Sequence, residues 1–318
     1  MNRRTFLETS AAALGLSAKA LADLPMPMVT LGKSGLKVSR FVLGGYHMAV
    51  QGQDNGVRII RRALDLGVNF LDSAHKYHNG RSDEIYGQAL EGGLRDKVIL
   101  MSKAHLRDRD GAMGQLEETL RRMKTGHLDL WQCHEVSTHA EVDKIFGPGG
   151  SLEAFVKAKQ QGKVRHIGFT GHHDYTVHQR LLDGYDGWET VQHPVNLIDP
   201  HYLSFLTNFL PNAKAKGLGR IGMKSNAIGE ITRNKVASIA DCLRFAWSQD
   251  IDVLVSGVET TGQLEDNVLA CKTHKNMSRQ EISLMLHRTR QGKYGPKIER
   301  YKKPESGARI HFDGDPVT

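Results

Sequence analysis

Four polar side chains that could act together on one substrate lie where short apolar runs of the sequence end. Asp72 lies near the end of one run, and Tyr77 follows shortly after it. Lys103 and His134 lie at the ends of the next two runs. Each residue alone would most often have a structural role, because perturbed polar groups also serve structure. Their recurrence at three successive run ends favours a shared chemical role.

This set of side chains suits the reduction of a carbonyl group, which needs a hydride at carbon and a proton at oxygen. The Lys103 ammonium is predicted to lower the pKa of Tyr77 from its usual value near 10, with Asp72 holding Lys103 in place and protonated. His134 would orient the substrate oxygen, and Tyr77 would protonate it as a general acid. The hydride has to come from a cofactor, because no amino acid supplies one.

Eight apolar runs of strand length recur along the chain at fairly even spacing. Segments with helical spacing lie between them, as where Ile60, Ala63 and Leu64 share one face before Gly67. The alternation predicts parallel strands with crossover helices, and no GxGxxG motif follows the first strand. We therefore predict a (β/α)8 TIM barrel, whose active site lies at the C-terminal ends of the strands. The eight predicted strands are 41–45, 68–74, 97–104, 128–135, 164–171, 190–196, 219–225 and 253–258.

The segments flanking the barrel pattern are predicted to complete one domain over residues 23–318. Residues 29–39 alternate around a Gly-Lys-Ser-Gly turn, which predicts an N-terminal β-hairpin that covers the N-terminal end of the barrel. A C-terminal helix is predicted to start at Ser278, with Glu281 forming a capping box. The tail after Gln291 holds many Gly and Pro residues, so no regular structure is predicted there.

The first 22 residues have the pattern of a signal peptide. Arg3 and Arg4 precede a short apolar stretch that leads to an A-x-A cleavage site at Ala20, Leu21 and Ala22. The stretch is too short to span a bilayer, so no stable membrane anchor is predicted. The arginine pair resembles a twin-arginine signal, which implies export to the periplasm in the folded state by the twin-arginine machinery. The alternative is a short amphipathic helix that begins with arginines.

Cysteine and charge usage exclude other classes of protein. The three cysteines, Cys133, Cys242 and Cys271, have no CxxC spacing, which argues against a disulfide framework or a cysteine metal site. The net charge of +8 is concentrated towards the C-terminus, but no nucleic-acid motif accompanies it. We interpret that region as a solvated basic tail and predict no nucleic-acid partner.

The sixteen histidines raise the alternative of a metal-assisted hydrolase or isomerase on the same barrel. The HxH and HExxH spacings are missing at the strand ends, and His172 and His173 would point in different directions on a strand. No metal site is therefore predicted.

The four polar residues and their surroundings resemble the aldo-keto reductase family over roughly residues 31–267. The most specific stretch, residues 67–77, reads GVNFLDSAHKY and continues with GRSDE at 80–84 and GQAL at 87–90. It is similar to the family pattern G-x-N-x-x-D-[TS]-A-x-x-Y. The resemblance implies a (β/α)8 barrel that binds an extended nicotinamide dinucleotide, a small-molecule carbonyl substrate, and a catalytic tetrad of Asp72, Tyr77, Lys103 and His134.

The same resemblance implies a set of cofactor-binding positions with three departures. Thr170 and Gly171 replace the usual Ser-Asn pair, Met223 replaces a stacking aromatic, and Glu259 replaces the Arg that holds the 2′-phosphate of NADP. Glu259 could accept a hydrogen bond from the bare 2′-hydroxyl of NAD, whereas Lys224 or basic tail residues favour NADP. The implied cofactor is NADP or NAD, with NADP favoured by the family pattern. The positions are Gly45, Tyr46, Thr170, Gln192, Met223, Lys224, Gly229, Gly257, Glu259, Gln263 and Asn267.

The departures leave a second hypothesis open. A barrel that binds the nicotinamide nucleotide without catalysis could act as a sensor or a regulatory subunit. The intact tetrad favours the enzyme, and the altered cofactor positions favour the sensor. The oligomeric state follows from neither hypothesis.

Overall fold

A computed structural model of the protein describes residues 17–291 and 295–303. The strands are β1 Met28–Thr30, β2 Lys37–Ser39, β3 Phe41–Gly44, β4 Phe70–Asp72, β5 Ile99–Ala104, β6 Leu128–Cys133, β7 Val164–Thr170, β8 Thr190–Pro194, β9 Gly219–Met223 and β10 Val253–Gly257. Eight parallel strands form a closed barrel in the order β10-β3-β4-β5-β6-β7-β8-β9, and β1 and β2 form a separate antiparallel pair. The predicted (β/α)8 barrel is therefore confirmed.

Helices surround the barrel and alternate with its strands. Each of the eight predicted strands coincides with an observed one, and seven of the observed strands end one or two residues before the predicted run does. The α-helices are α1 Ala18–Asp23, α2 Gly45–Met48, α3 Gln53–Asp65, α4 Arg81–Ala89, α5 Arg109–Arg122, α6 His139–Phe146, α7 Ser151–Gln160, α8 Tyr175–Gly184, α9 Phe205–Asn208, α10 Leu210–Ala215, α11 Glu230–Arg233, α12 Ile239–Trp247, α13 Thr261–Lys272, α14 Arg279–Gln291 and α15 Gly295–Ile298. None of the described helices is both long and apolar enough to cross a membrane.

The β1–β2 hairpin closes the N-terminal end of the barrel, as predicted. Leu31 and Val38 are fully buried and pack against inward-facing strand residues. The backbone N–H of Lys33 donates to the carbonyl of Gly217, just before β9. The inward-facing residues are Val42, Phe70, Met101, Leu130, Ile221 and Val253. This apolar plug leaves the opposite end of the barrel as the place where polar strand ends can face a ligand.

The predicted leader only partly overlaps the described residues, since its first 16 residues lie outside them. The predicted cleavage site falls within α1, where Leu21 is buried in the main core. The Lys272 ammonium donates to the Leu21 carbonyl at 2.9 Å, and Arg62 donates to the Ala18 carbonyl at 3.3 Å. The predicted boundary after residue 22 thus lies inside a docked helix.

The C-terminal segment also packs on the barrel. Ser278 and Glu281 form the predicted capping box ahead of α14, with each side chain accepting from the other residue's backbone N–H. The prediction that no regular structure follows Gln291 is wrong for α15, which begins at Gly295 despite the surrounding Gly and Pro residues. Ile298, the last residue of α15, and Tyr301 beyond it belong to one apolar cluster with residues of α12 and α14. Residues 304–318 lie outside the described residues.

Candidate active site

The C-terminal ends of β4 and β5 place a buried ion pair inside the barrel mouth. Asp72 ends β4 and Lys103 lies near the end of β5, and both side chains are almost fully buried. The Lys103 ammonium contacts the Asp72 carboxylate and also donates to the Ser73 carbonyl at 2.6 Å. Burial raises the pKa of Asp72 and lowers that of Lys103, while their mutual attraction opposes both shifts.

Tyr77 stands over this pair because the chain turns sharply after β4. It begins a short 3-10 turn, Tyr77–Gly80, in which His78 and Asn79 have positive φ angles of 50° and 57°. The Lys103 ammonium lies 5.3 Å from the centre of the Tyr77 ring. The structure records no hydrogen bond of the half-buried Tyr77 hydroxyl to any described residue, so the hydroxyl can meet a substrate.

The prediction that Lys103 and Asp72 lower the pKa of Tyr77 is wrong for this structure. Burial raises the pKa of Tyr77 well above its ordinary value, and the negative charges of Asp72 and Glu135 raise it further. The attraction of the Lys103 ammonium for a Tyr77 phenolate does not outweigh these effects, because that ammonium is paired with the Asp72 carboxylate. Tyr77 is therefore protonated at neutral pH, which is the form that a proton donor needs.

His134 follows β6 directly and completes the group. Its ring lies edge-on to the Tyr77 ring, with centroids 5.6 Å apart, and its side chain is buried. Burial, followed by the positive charge of Lys103, lowers the pKa of His134 well below its usual value. A neutral His134 carries one N–H, which can donate to a substrate oxygen. All four predicted tetrad residues thus meet at one rim.

The ends of β7, β8 and β9 bring three of the predicted cofactor residues together. Thr170 pairs with Gln192 across β7 and β8, and both are buried. The Gln192 amide nitrogen lies 3.7 Å from the Met223 sulfur, while the Gln192 amide oxygen is buried and has no hydrogen-bond partner. An unpaired buried amide oxygen is costly, and a ligand amide can satisfy it. This observation fits the carboxamide of a nicotinamide.

The first and last barrel strands place two glycines side by side at the same rim. Gly44 of β3 pairs with Gly257 of β10. A Cβ added to Gly257 would come within 2.2 Å of the His47 ring. Gly45 starts α2, and a Cβ there would meet the Asp72 carbonyl at 2.4 Å. Tyr46, the next residue, is exposed and lies against Tyr77. Gly45 thus allows α2 to approach the tetrad.

The predicted adenosine-binding residues follow β10 and lie at the start of α13. The Glu259 N–H donates to the Gln263 side chain at 2.8 Å, and the Glu259 carbonyl accepts from Asn55. The Asn267 amide donates to Ser256 at 3.2 Å. Gly229 belongs to a different element, since it directly precedes α11. Its φ of 86° favours glycine at that position. Internal hydrogen bonds therefore fix the loop that carries the Glu259 carboxylate.

Comparison with known proteins decides the family to which this site belongs. The family model described as "Aldo/keto reductase family" matches residues 40–236, which is more than half of the chain. The chain belongs to the aldo/keto reductase family. The enzyme class predicted from the sequence, an NAD(P)-dependent oxidoreductase, is thereby confirmed.

Individual relatives are distant. The uncharacterized oxidoreductase YqkF of Bacillus subtilis is 32% identical over 152 residues, which is 44% of this chain and 47% of the relative. L-galactose dehydrogenase of Arabidopsis thaliana is 26% identical over 76% of this chain and 86% of its own. This chain thus spans about half the length of the first and most of the second.

The solved structures agree in fold. An aldo-keto reductase from Klebsiella pneumoniae, solved in complex with NADPH, superposes with a TM-score of 0.68 at 21% identity. The match covers 90% of this chain and 99% of that structure. At this identity, the similarity supports the barrel fold alone.

This aldo/keto reductase has a wall of polar side chains beside the tetrad, which the sequence analysis only partly anticipated. This polar wall consists of Lys76, Glu135, His172, His173, Lys224 and Tyr301. The Lys224 ammonium lies 5.1 Å from the centre of the Tyr301 ring, and the His172 ring contacts the same tyrosine with centroids 5.4 Å apart. The Glu135 carboxylate forms an ion pair with Lys76 and lies 3.5 Å from the His172 ring nitrogen. Burial lowers the pKa of Lys224 to about 8. The contact with Tyr301 places the Lys224 ammonium in this wall, at the tetrad end of the site.

Three residues of this wall escaped the sequence analysis. Glu135 directly follows His134 and could have been found from that position. Lys76 lies within the GVNFLDSAHKY stretch but at a variable position of the family pattern. Tyr301 lies in the breaker-rich tail, and no sequence pattern signals its return to the barrel.

A buried ionic cluster fixes the segment that carries Tyr301. The Lys302 ammonium lies 2.6 Å from the Asp199 carboxylate and 2.7 Å from the Glu299 carboxylate, and all three side chains are fully buried. Lys302→Met leaves two buried carboxylates without their cation, and we expect it to lower the free energy of unfolding by about 3–5 kcal/mol. Urea denaturation tests this, with exposed Lys297→Met on the same segment as the control. Equal effects of the two substitutions would show that the cluster does not hold the segment.

Proposed function

We propose that this protein is an exported NAD(P)H-dependent reductase that converts the aldehyde or keto group of a small, sugar-like molecule to an alcohol. The observation that carries the proposal is the shared position of the buried Asp72–Lys103 pair, the protonated Tyr77 above it and the neutral His134 beside it. Three consecutive strands supply these groups, so the barrel holds them in one geometry before a substrate binds.

Tyr77 supplies the proton in this proposal. Its hydroxyl is protonated at neutral pH because burial and nearby carboxylates raise its pKa. As negative charge develops on the substrate oxygen, that oxygen becomes a stronger base than the Tyr77 phenolate and takes the proton. The Lys103 ammonium, 5.3 Å from the ring centre, then stabilises the phenolate that remains.

His134 and Asp72 prepare the reaction without transferring the proton. Neutral His134 donates a hydrogen bond to the carbonyl oxygen and so fixes it near Tyr77. The Asp72 carboxylate, together with the Ser73 carbonyl, holds the Lys103 ammonium in the barrel interior. Without this partner, burial would favour neutral Lys103 and remove the positive charge beneath Tyr77.

The residues that would hold the nicotinamide end of the cofactor are those at the ends of β7, β8 and β9. The unpaired Gln192 oxygen would accept from the carboxamide, with Thr170 beside it and Met223 in place of an aromatic ring. A bound nicotinamide nucleotide supplies the hydride that the substrate carbon accepts. The chain's own contribution is to bind and orient that group.

The polar wall favours a hydroxyl-rich substrate. The wall presents donors and acceptors close to the tetrad, to which the hydroxyl groups of a sugar can add hydrogen bonds that an apolar aldehyde cannot form; these residues are His172, His173, Glu135, Lys76 and Lys224. The similarity to L-galactose dehydrogenase supports the same chemical class. We therefore propose an aldose or a keto sugar as the substrate.

A substrate panel tests this function. The purified full chain is expected to oxidise NADPH or NADH in the presence of aldoses and keto sugars, with a higher kcat/KM than for benzaldehyde. Absorbance of the reduced nucleotide measures both series. Turnover of benzaldehyde alone would contradict the substrate class, and no turnover of any carbonyl with either nucleotide would contradict the reductase.

The cofactor preference depends on Glu259. Its carboxylate lies where the family pattern has the Arg that binds a 2′-phosphate, and a like charge repels that phosphate. Glu259→Arg is expected to tighten NADPH binding relative to NADH by roughly tenfold or more, as one charge-assisted hydrogen bond provides ~1.5–3 kcal/mol. Calorimetric Kd values for both nucleotides measure this. Glu259→Gln separates the loss of repulsion from the gain of the guanidinium, and an unchanged ratio in both variants would contradict the assignment.

The export proposal depends on Arg3 and Arg4. Replacing both with Lys keeps the charge and is expected to hold the protein in the cytoplasm of a bacterial host, since a twin-arginine signal is read by a receptor. Cell fractionation and immunoblotting measure the distribution. The intact mass of the periplasmic form shows whether cleavage removes α1 after Ala22. Equal periplasmic amounts of both proteins would contradict the twin-arginine route.

A further inference from the structure

We propose that Glu135, His172 and His173 form a binding site for a zinc-type divalent metal ion beside the tetrad. None of the three belongs to the tetrad or to the predicted cofactor positions. Within the part of the chain that the structure describes, they form the one group of three such side chains that could hold a single ion. Their candidate ligand atoms all lie within 4.8 Å of one another.

The local backbone explains why the three side chains converge. Two consecutive histidines on a strand would point to opposite faces, but β7 ends at Thr170, so the alternation does not apply to His172 and His173. Their rings lie edge-to-face with centroids 4.7 Å apart. Glu135 follows β6 with a left-handed φ of 54°, and its carboxylate lies 3.5 Å from the His172 ring nitrogen. The sequence-based expectation that these histidines diverge is therefore wrong.

The chemistry of the three side chains suits a zinc-type ion. Two imidazoles and one carboxylate form the protein part of an open zinc site, in which a further position takes water or substrate.

Neighbouring residues hold the histidines in place. The backbone N–H of Lys303 donates to the His173 carbonyl at 3.1 Å, and the Tyr301 ring packs edge-on against His172. Both contacts come from the C-terminal segment that the Lys302 cluster fixes. The site is thus built from two strand ends and one docked segment.

The competing cation is Lys76, whose ammonium pairs with the Glu135 carboxylate. The Lys76 side chain is 41% exposed and that of Glu135 is 29% exposed, and ion pairs at such positions contribute little stability. A divalent ion with two imidazole ligands can therefore displace it. The Lys224 ammonium also faces Glu135 and opposes metal binding through its charge. Removing Lys76 should consequently strengthen metal binding.

Zinc titration of the full chain by calorimetry, without nucleotide or substrate, tests the site. The wild type is expected to bind one more Zn²⁺ per chain than His173→Asn or Glu135→Gln, with melting temperatures confirming that the variants fold. Lys76→Met is expected to bind this ion roughly tenfold more tightly, because one positive charge near the ion is lost. His274→Asn, a substitution of a half-buried histidine outside the cluster, should leave the extra ion in place.

The outcomes are distinct from those that test the reductase. Tyr77→Phe should keep the zinc stoichiometry even if it abolishes turnover, because Tyr77 supplies no ligand. Equal zinc stoichiometry in wild type, His173→Asn and Glu135→Gln would overturn the site and leave the reductase proposal standing. Weaker binding to Lys76→Met would also contradict it, since it would show that Lys76 does not compete with the ion.

Discussion

Tyr77→Phe is expected to lower kcat for carbonyl reduction by roughly 10²–10⁴-fold, which is the usual contribution of a positioned general acid. The phenol is the proton donor in this account, and phenylalanine keeps its ring against Tyr46 and His134 while removing the hydroxyl. Steady-state absorbance of the reduced nucleotide measures kcat. The Kd for the nucleotide, measured by calorimetry, should change little.

A control substitution separates loss of the proton donor from the general effect of removing a tyrosine hydroxyl. Tyr185→Phe changes a ring that packs against Trp188 and belongs neither to the tetrad nor to the predicted cofactor positions, so it should keep the turnover. Full activity of Tyr77→Phe would exclude Tyr77 as the acid. Nucleotide binding without turnover in the wild type would instead favour the sensor hypothesis.

Asp72→Asn is expected to lower the free energy of unfolding by about 3–5 kcal/mol, because Lys103 then has no countercharge and must either stay charged in the barrel interior or give up its proton on folding. Lys103 is 1% exposed, so solvent cannot replace the carboxylate. The double substitution Asp72→Leu and Lys103→Met removes both charges and should recover much of this loss. Urea denaturation of the three proteins measures the difference.

An exposed ion pair provides the control for this prediction. Lys124 and Glu91 lie 2.6 Å apart with side chains 62% and 53% exposed, and Glu91→Gln should leave the free energy of unfolding almost unchanged. If Asp72→Asn cost no more than Glu91→Gln, Lys103 would not be a buried ammonium. The double variant should be folded but inactive, since Tyr77 would lack the charge beneath it.

Much of the barrel could be predicted because its signals are local. Apolar strand runs, helical spacing and glycine stops are periodic features of neighbouring residues, and they locate all eight strands. The tetrad was found for the same reason, since each member lies at or just after a strand end and parallel strands bring those ends together. Seven observed strands end one or two residues before the predicted runs, although hydrogen bonds between neighbouring strand ends continue past them, as where the Ser73 N–H donates to the Met101 carbonyl at 2.8 Å.

The pKa of Tyr77 and the position of Tyr301 in the polar wall depend on residues far apart in the sequence, so they could not be predicted in the same way. The pKa of Tyr77 depends on burial and on the pairing of Lys103 with Asp72, which only the folded structure reveals. Tyr301 reaches the site through a buried cluster whose partners are about one hundred residues apart in sequence, as the separation of 103 between Lys302 and Asp199 illustrates. Spacing rules within one element contain no information on such contacts.

Transfer of isotope to the product tests the central claim most directly. The full chain is incubated with an aldose and NADPH, or NADH, that carries deuterium at both C4 positions of the reduced ring, and the alcohol is analysed by mass spectrometry. The account predicts one deuterium at the new carbinol carbon with the wild type, and almost none in the same time with Tyr77→Phe. Wild-type product without deuterium, or equal labelling by both proteins, would contradict it.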